Sequence, residues 1–151
     1  MLGFYAISTS KISFGHDGRW YADGEPIVNR RIADLFSRHL QRQPDGTYVI
    51  RMADEWAPVE IEDTAYVVRS AAVTEDGVVL ELNDLTTELL DPATLEVGDA
   101  EVLYCRVKGG TERVRFLRPA YYQLAAHLQE PQPGSFTLRL PAGSYPIARR
   151  R

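Results

Sequence analysis

Apolar residues recur along this chain at two spacings, and the spacing changes where glycine and proline fall. Ile32, Leu35, Phe36 and Leu40 follow the helical rhythm, so they predict a helix that Asn29 caps and Pro44-Asp45-Gly46 ends. Tyr48-Val49-Ile50-Arg51-Met52 and Val59-Glu60-Ile61-Glu62 alternate instead and predict strands. Residues 66–73 and 78–82 predict a hairpin turned at Asp76-Gly77, and residues 102–108 and 112–117 a second turned at Gly109-Gly110. Trp20-Tyr21-Ala22 and Glu25-Pro26-Ile27-Val28 predict a shorter one around Asp23-Gly24. Pro26 lacks an N–H, which places its strand at an edge. Residues 83–99 are polar and acidic and predict an irregular connection with one short helical turn. Pro119 suits the first turn of a second helix, whose buried stripe is Tyr121, Leu124, Ala125 and Leu128 and which Pro131 and Pro133 stop. Residues 135–140 make the last expected strand, and residues 148–151 a mobile tail.

Part of this pattern is written twice. Shifted by 88 positions, residues 28–52 fall on 116–140 without a gap. Six of these 25 positions are identical: Arg30/Arg118, His39/His127, Leu40/Leu128, Gln41/Gln129, Gly46/Gly134 and Arg51/Arg139. Ordinary composition gives roughly one or two by chance. The fold class expected is α+β with mostly antiparallel sheets: a strand–strand–helix–strand unit used twice, with a central hairpin between. The halves expected are residues 1–63 and 64–151, and a seam between two halves is a natural place for a ligand.

Composition narrows the class. The chain has 151 residues, 44% hydrophobic and 25% charged, as in a soluble globular protein. No apolar run approaches a membrane span, and Met1–Ser8 has neither the basic start nor the apolar core of a signal peptide. The single cysteine, Cys105, excludes an internal disulfide and fits a reducing, cytoplasmic setting. The net charge of −4 conceals a division. Residues 53–101 hold fourteen acidic side chains and one basic, whereas residues 102–151 hold nine basic and two acidic. An acidic chain with so small a basic area is not expected to bind nucleic acid.

The basic residues gather on the second long hairpin. With its turn at Gly109-Gly110, Arg106 faces Arg113 and Tyr104 faces Arg115. One face then carries Tyr104, Arg106, Lys108, Arg113 and Arg115, and the other carries Leu103, Cys105, Val107, Val114 and Phe116. Like charges across a ladder destabilise it, so an anion belongs nearby. The chain's own Glu81, Asp84, Glu88, Asp91 or Glu96 would serve, and so would a phosphate or carboxylate ligand. Arg30 and Arg118 open equivalent helices, where free N–H groups also favour anions or where an arginine holds the turn.

Other chemistry is sparse. His39 and His127 sit at matched positions on the margin of the buried stripe, which suits packing. His16 lies in a turn beside Asp17 and is expected to be solvated. Glu60 and Glu62 share a strand face, as a solvated edge or an acid pair. Cys105 points inward and is expected to be inert. Metal-ligand spacings, phosphate loops and nucleophile elbows are lacking, so no cofactor and no metal site are expected.

The run Gly18-Arg19-Trp20-Tyr21-Ala22-Asp23-Gly24-Glu25-Pro26-Ile27 resembles the opening pattern of the bacterial domain-of-unknown-function 1285 family. Leu35-Phe36 with Leu40, residues 45–50 and residues 59–63 agree in order, as does Arg118-Pro119-Ala120-Tyr121-Tyr122-Gln123-Leu124. Leu82-Asn83 is similar to its Thr-Asn segment, with Leu82 where threonine is usual. Arg106 and Arg115 fall where the family carries arginine. The ending at Gly143-Ser144-Tyr145-Pro146 is shorter than the family's Gly-rich aromatic one.

The resemblance implies a duplicated motif, a second half similar to pleckstrin-like folds, and a nucleotide-like ligand at the junction of the halves. It implies a signalling role and no established enzymatic activity. The expectation is therefore a cytoplasmic, non-catalytic protein that binds a small anionic ligand, without membrane association. Trp20 and Tyr21 would stack on a planar ring. Arg30, Arg106, Arg115 and Arg118 would meet phosphates, and Asn83 or Tyr122 would orient the ligand. An adaptor binding another protein through a sheet edge or the basic face is the main alternative, and a phosphoester hydrolase the third. The sequence does not indicate an oligomeric state.

Overall fold

The computed structural model describes residues 10–150, so the opening segment read against a signal peptide and the last tail residue lie outside the described residues. It is a mixed α+β structure that divides into two compact units, the first ending at Ala65 and the second beginning at Tyr66.

In the first unit, strands β1 (Ile12–Phe14), β2 (Trp20–Ala22), β3 (Glu25–Pro26), β4 (Leu40–Arg42), β5 (Tyr48–Met52) and β6 (Glu55–Ile61) form one sheet in the order β3-β2-β1-β6-β5-β4. Neighbours are antiparallel except β1 and β6, which run parallel with Phe14 opposite Ile61. The β2–β3 turn is tight because Asp23 and Gly24 both take positive φ, 51° and 82°. Between β3 and β4 runs the helix Arg30–Arg38, whose Asn29 cap accepts the N–H groups of Arg31 and Ile32. It presents Phe36 to Trp20, which also packs on Phe14, with ring centroids 5.5 and 4.8 Å apart.

In the second unit, β7 (Val67–Thr74), β8 (Gly77–Leu82), β9 (Thr87–Leu89), β10 (Glu96–Val97), β11 (Leu103–Val107), β12 (Glu112–Phe116), β13 (Leu128–Gln132), β14 (Ser135–Leu140) and β15 (Gly143–Arg149) form a sheet ordered β13-β14-β15-β10-β11-β12-β7-β8-β9. Pro119 sits in the first turn of the helix Arg118–Ala125, which buries Ala120 and Leu124. Its Gln123 side chain accepts the Ala71 N–H at 2.8 Å, beside a bulge in β7.

The order β12-β11-β10-β15-β14-β13 repeats β3-β2-β1-β6-β5-β4, including the parallel pair, and β7-β8-β9 extend the second sheet beyond it. The helix falls at the same point in both orders. Each of these orders holds three strands, a helix and three strands, where the hydrophobic pattern predicts two strands, a helix and one. Leu40 and Leu128 account for part of the difference. Both fit a helical rhythm, but each begins a strand and pairs in a ladder, with Ile50 and Leu138. His39 caps the end of the first helix, and His127 follows the Ala126 cap of the second. Each gives its carbonyl to a matched arginine N–H, Arg51 at 3.1 Å and Arg139 at 2.8 Å.

Two further expectations are corrected. Pro131 does not stop a helix; it lies within β13, an edge strand that tolerates a missing donor. Residues 148 and 149 belong to β15, held to β10 as well as β14 in the sheet, rather than to a mobile tail.

Candidate functional site

The basic hairpin folds in the expected register, with Arg106 opposite Arg113 and Tyr104 opposite Arg115. Leu103, Cys105, Val107, Val114 and Phe116 are all buried, and burial pushes the Cys105 thiol up to about 12, which leaves it inert. On the other face the chain's own carboxylates take part of the charge. Arg113 Nε meets Glu96 Oε1 at 2.5 Å, and its guanidinium carbon lies 3.6 Å from the centroid of the Tyr104 ring. Lys108 Nζ donates to Asp84 at 2.7 Å over the Tyr66 ring, and its backbone N–H points at Glu88. Burial and the neighbouring Glu112 and Asp84 charges push the Tyr66 hydroxyl up to about 12. Arg106 is exposed, and among the described residues its guanidinium bonds only the Gly110 carbonyl, at 3.4 Å. Arg115 lies further along the same face, and exposed Arg118 opens the helix that follows.

Two expected ligand residues are structural. Trp20 is 1% exposed and donates its indole N–H to Ser37 Oγ at 2.9 Å, so no face is open to a ligand ring. Asn83 is likewise 1% exposed, and its Oδ1 accepts the Val67 N–H at 2.9 Å. Tyr122 stands 63% exposed, edge-on to Tyr121. Arg30 is exposed at the head of the first unit's helix.

The sequence does not reveal the cleft of about 150 Å³ in the first unit, lined by Ser13, Gly15, His16, Asp17, Tyr21 and Glu62. Ile12 and Phe14 of β1 turn inward, which leaves Ser13 and Tyr21 on the outer face of the sheet. Tyr21 donates its hydroxyl to Asp17 Oδ2, while Asp17 Oδ1 accepts the Arg19 N–H at 3.0 Å. The bond to Asp17 holds the Tyr21 hydroxyl above its ordinary value. Glu62 Oε1 takes the His16 backbone N–H at 2.6 Å and also the His16 Nδ1. The backbone bond, then the ring bond, lower the Glu62 carboxyl. Glu60 does not share this site and pairs with Lys11 at 3.4 Å.

Gly15 makes the arrangement possible. A Cβ there would lie 2.6 Å from Asp17 Oδ1 and 3.0 Å from Tyr21 Cε1. The residue is bare because the carboxylate and ring occupy the space, and not because of its φ. A site assembled from residues 13–21 and a carboxylate beyond β6 leaves no local motif to read.

No protein-family model and no curated protein matches the chain. Among solved structures, a domain-of-unknown-function 1285 (DUF1285) family protein from Silicibacter pomeroyi superposes with a TM-score of 0.69 at 18% identity, over 91% of this chain and 79% of that one. The chain has a DUF1285-like fold. A second DUF1285 family protein, from Shewanella baltica, superposes with a TM-score of 0.60 at 17% identity, over 79% of this chain and 93% of its own. The family-like fold and the α+β class with mostly antiparallel sheets expected from the sequence are those observed. Among the described residues no helix of this DUF1285-like fold is long and apolar enough to cross a membrane.

Proposed function

We propose that the protein is a cytoplasmic, non-catalytic bacterial binding protein with a signalling role, and that it takes a small anionic, nucleotide-like ligand on the arginine face of its second unit. The supporting observation is the contrast along one ladder. Arg113 is neutralised by Glu96 and stacked on Tyr104, whereas its cross-strand partner Arg106 is exposed and, among the described residues, meets no carboxylate. A phosphate held by Arg106 relieves the like-charge pair and suits the planar donor fork of arginine. Arg115 on the same face and Arg118 at the helix start supply further donors. Isothermal titration with a nucleotide panel and inorganic phosphate tests this reading. Binding tighter than millimolar that Arg106→Ala weakens about tenfold supports it, and heat-free titrations overturn it.

An adaptor role rests on a different observation. Edge strand β9 carries Leu89, 55% exposed, and the turn before it carries Leu85, 51% exposed, which suits the addition of a partner strand. A Leu89→Lys variant that no longer retains a protein partner in a pulldown favours this reading.

A further inference from the structure

The two units place a glycine and a tyrosine in the same corner of the shared strand order. Phe14 pairs with Trp20 and Ile61, and Val97 pairs with Leu103 and Arg149. The next residues, Gly15 and Gly98, donate their N–H groups to Arg19 and Val102 carbonyls, each at 2.8 Å. Across the parallel pair, Glu62 N–H reaches the Phe14 carbonyl at 3.0 Å and Arg150 N–H the Val97 carbonyl at 2.8 Å. A Cβ on Gly15 would lie 3.0 Å from Tyr21, and one on Gly98 2.9 Å from Tyr104. Neither glycine has a positive φ. At Gly98 the tyrosine ring fills the space a side chain would need, and at Gly15 the Asp17 carboxylate and the tyrosine ring fill it together.

What rests on the tyrosine differs. In the second unit it is a guanidinium. Arg113 stacks on Tyr104, bonds Glu96, and brings its Nη2 within 3.7 Å of the point where a Gly98 Cβ would stand. Glu96 also holds Arg150, at 3.0 Å. The corner is thus a seat for a guanidinium: a bare Cα, an aromatic face and a carboxylate. In the first unit the β2–β3 hairpin turns at Asp23-Gly24, too early to return an arginine across Tyr21. Two carboxylates stand there, Asp17 and Glu62, and among the described residues no cation lies over the Tyr21 ring. Arg19 contributes its backbone N–H to Asp17, and His16 steadies Glu62.

We propose that the cleft of the first unit binds a guanidinium group from outside the chain, laid on Tyr21 with Glu62 and Asp17 as its counter-ions. The cleft, of about 150 Å³, is large enough to receive a planar cation on the Tyr21 ring. This site and the anion site of the second unit have opposite charge preferences, so each is tested without the other. The group would come from an arginine side chain of a protein or from a free small guanidinium compound.

The test is titration of the full chain, followed by amide NMR, with a blocked Gly-Gly-Arg-Gly-Gly peptide and with agmatine. The blocked norleucine peptide is the control. Saturable shifts at Gly15, His16 and Glu62 are expected with both guanidinium probes. Glu62→Gln, on the surface and with its melting temperature checked, is expected to weaken them about threefold or more, while Arg106→Ala leaves them unchanged. Tighter binding of the peptide assigns the source to a protein, and tighter binding of agmatine assigns it to a small molecule. Absent shifts at those amides, equal shifts with the norleucine peptide, or unchanged affinity in Glu62→Gln overturn the proposal.

Discussion

The two units share a frame and fill it differently. Where the first places Phe14, Trp20 and Phe36, the second places Val97, Leu103 and Leu124. The exchange extends to a polar partner. Trp20 brings an indole N–H into the core, and Ser37 satisfies it at 2.9 Å. The position matched to Ser37 is Ala125, and the position matched to Trp20 is Leu103, which has no donor to satisfy. A buried hydroxyl thus stands where a buried N–H needs an acceptor. The strand order does not dictate the chemistry of its core; each unit settles its own packing and hydrogen bonding.

Removing the aromatic core should have the largest effect. Trp20→Ala is expected to cost about 3–5 kcal/mol in urea unfolding, and a loss below about 1 kcal/mol would mean that the ring is not packed as described.

The charged pairs of the two units offer the next contrast. Lys108–Asp84 is partly buried, with 28% and 9% of the side chains exposed, while Lys11–Glu60 is open at 69% and 65%. Lys108→Met should cost about 1.5–3 kcal/mol and Lys11→Met less than about 1 kcal/mol. Burial alone would raise the Asp84 carboxyl, but the bonds from Lys108 and Thr86 outweigh it and hold it below its ordinary 3.8. A folded value lower than the unfolded one stabilises above the unfolded value. That contribution drains as pH falls from about 4 through the folded value. Acid titration of stability should therefore be shallower in Lys108→Met than in the parent, and parallel curves would contradict the pairing.

The hydroxyl contrast comes third. Ser37→Ala strands the Trp20 N–H and should cost about 1–3 kcal/mol, whereas adding Ser37→Ala to Trp20→Leu should cost far less, because no donor is left to strand. Equal costs in both backgrounds would break the comparison.

The matched histidines should matter least. His39 and His127 act through their backbone carbonyls, so either alanine variant should move stability by no more than about 0.5 kcal/mol. A loss above about 1 kcal/mol in either variant would show that the imidazoles act instead.

The sequence is legible where one period acts alone. Strict alternation on both sides of Gly109-Gly110 yields the register of β11 and β12, because a slip by one residue would bury Arg106 and Arg113. It misleads where periods overlap. Leu40 and Leu128 satisfy a helix as readily as a strand, and only the pairing with Ile50 and Leu138 decides. Proline hides β6 and β15 in part. Pro58 and Pro146 sit at matched places one residue before the parallel pair on β6 and two before it on β15, where the missing N–H breaks no ladder bond to that neighbour. The basic face is visible in composition, but its neutralisation by Glu96 and Asp84 depends on contacts distant in sequence. Trp20 and Asn83 look like ligand residues because polar atoms and rings also serve cores. The Gly15 corner stays hidden because its glycine is required by space, which no local pattern records.

Joining β1 to β6 in parallel also gives the first unit a mechanical character. Tension applied at the start of β1 and the end of β6 draws the two strands past each other along their length, so the hydrogen bonds between them bear the force together instead of peeling open in turn. Although only three residue pairs long, this ladder is placed to resist stretching, a property that an antiparallel closure between the same strands would lack.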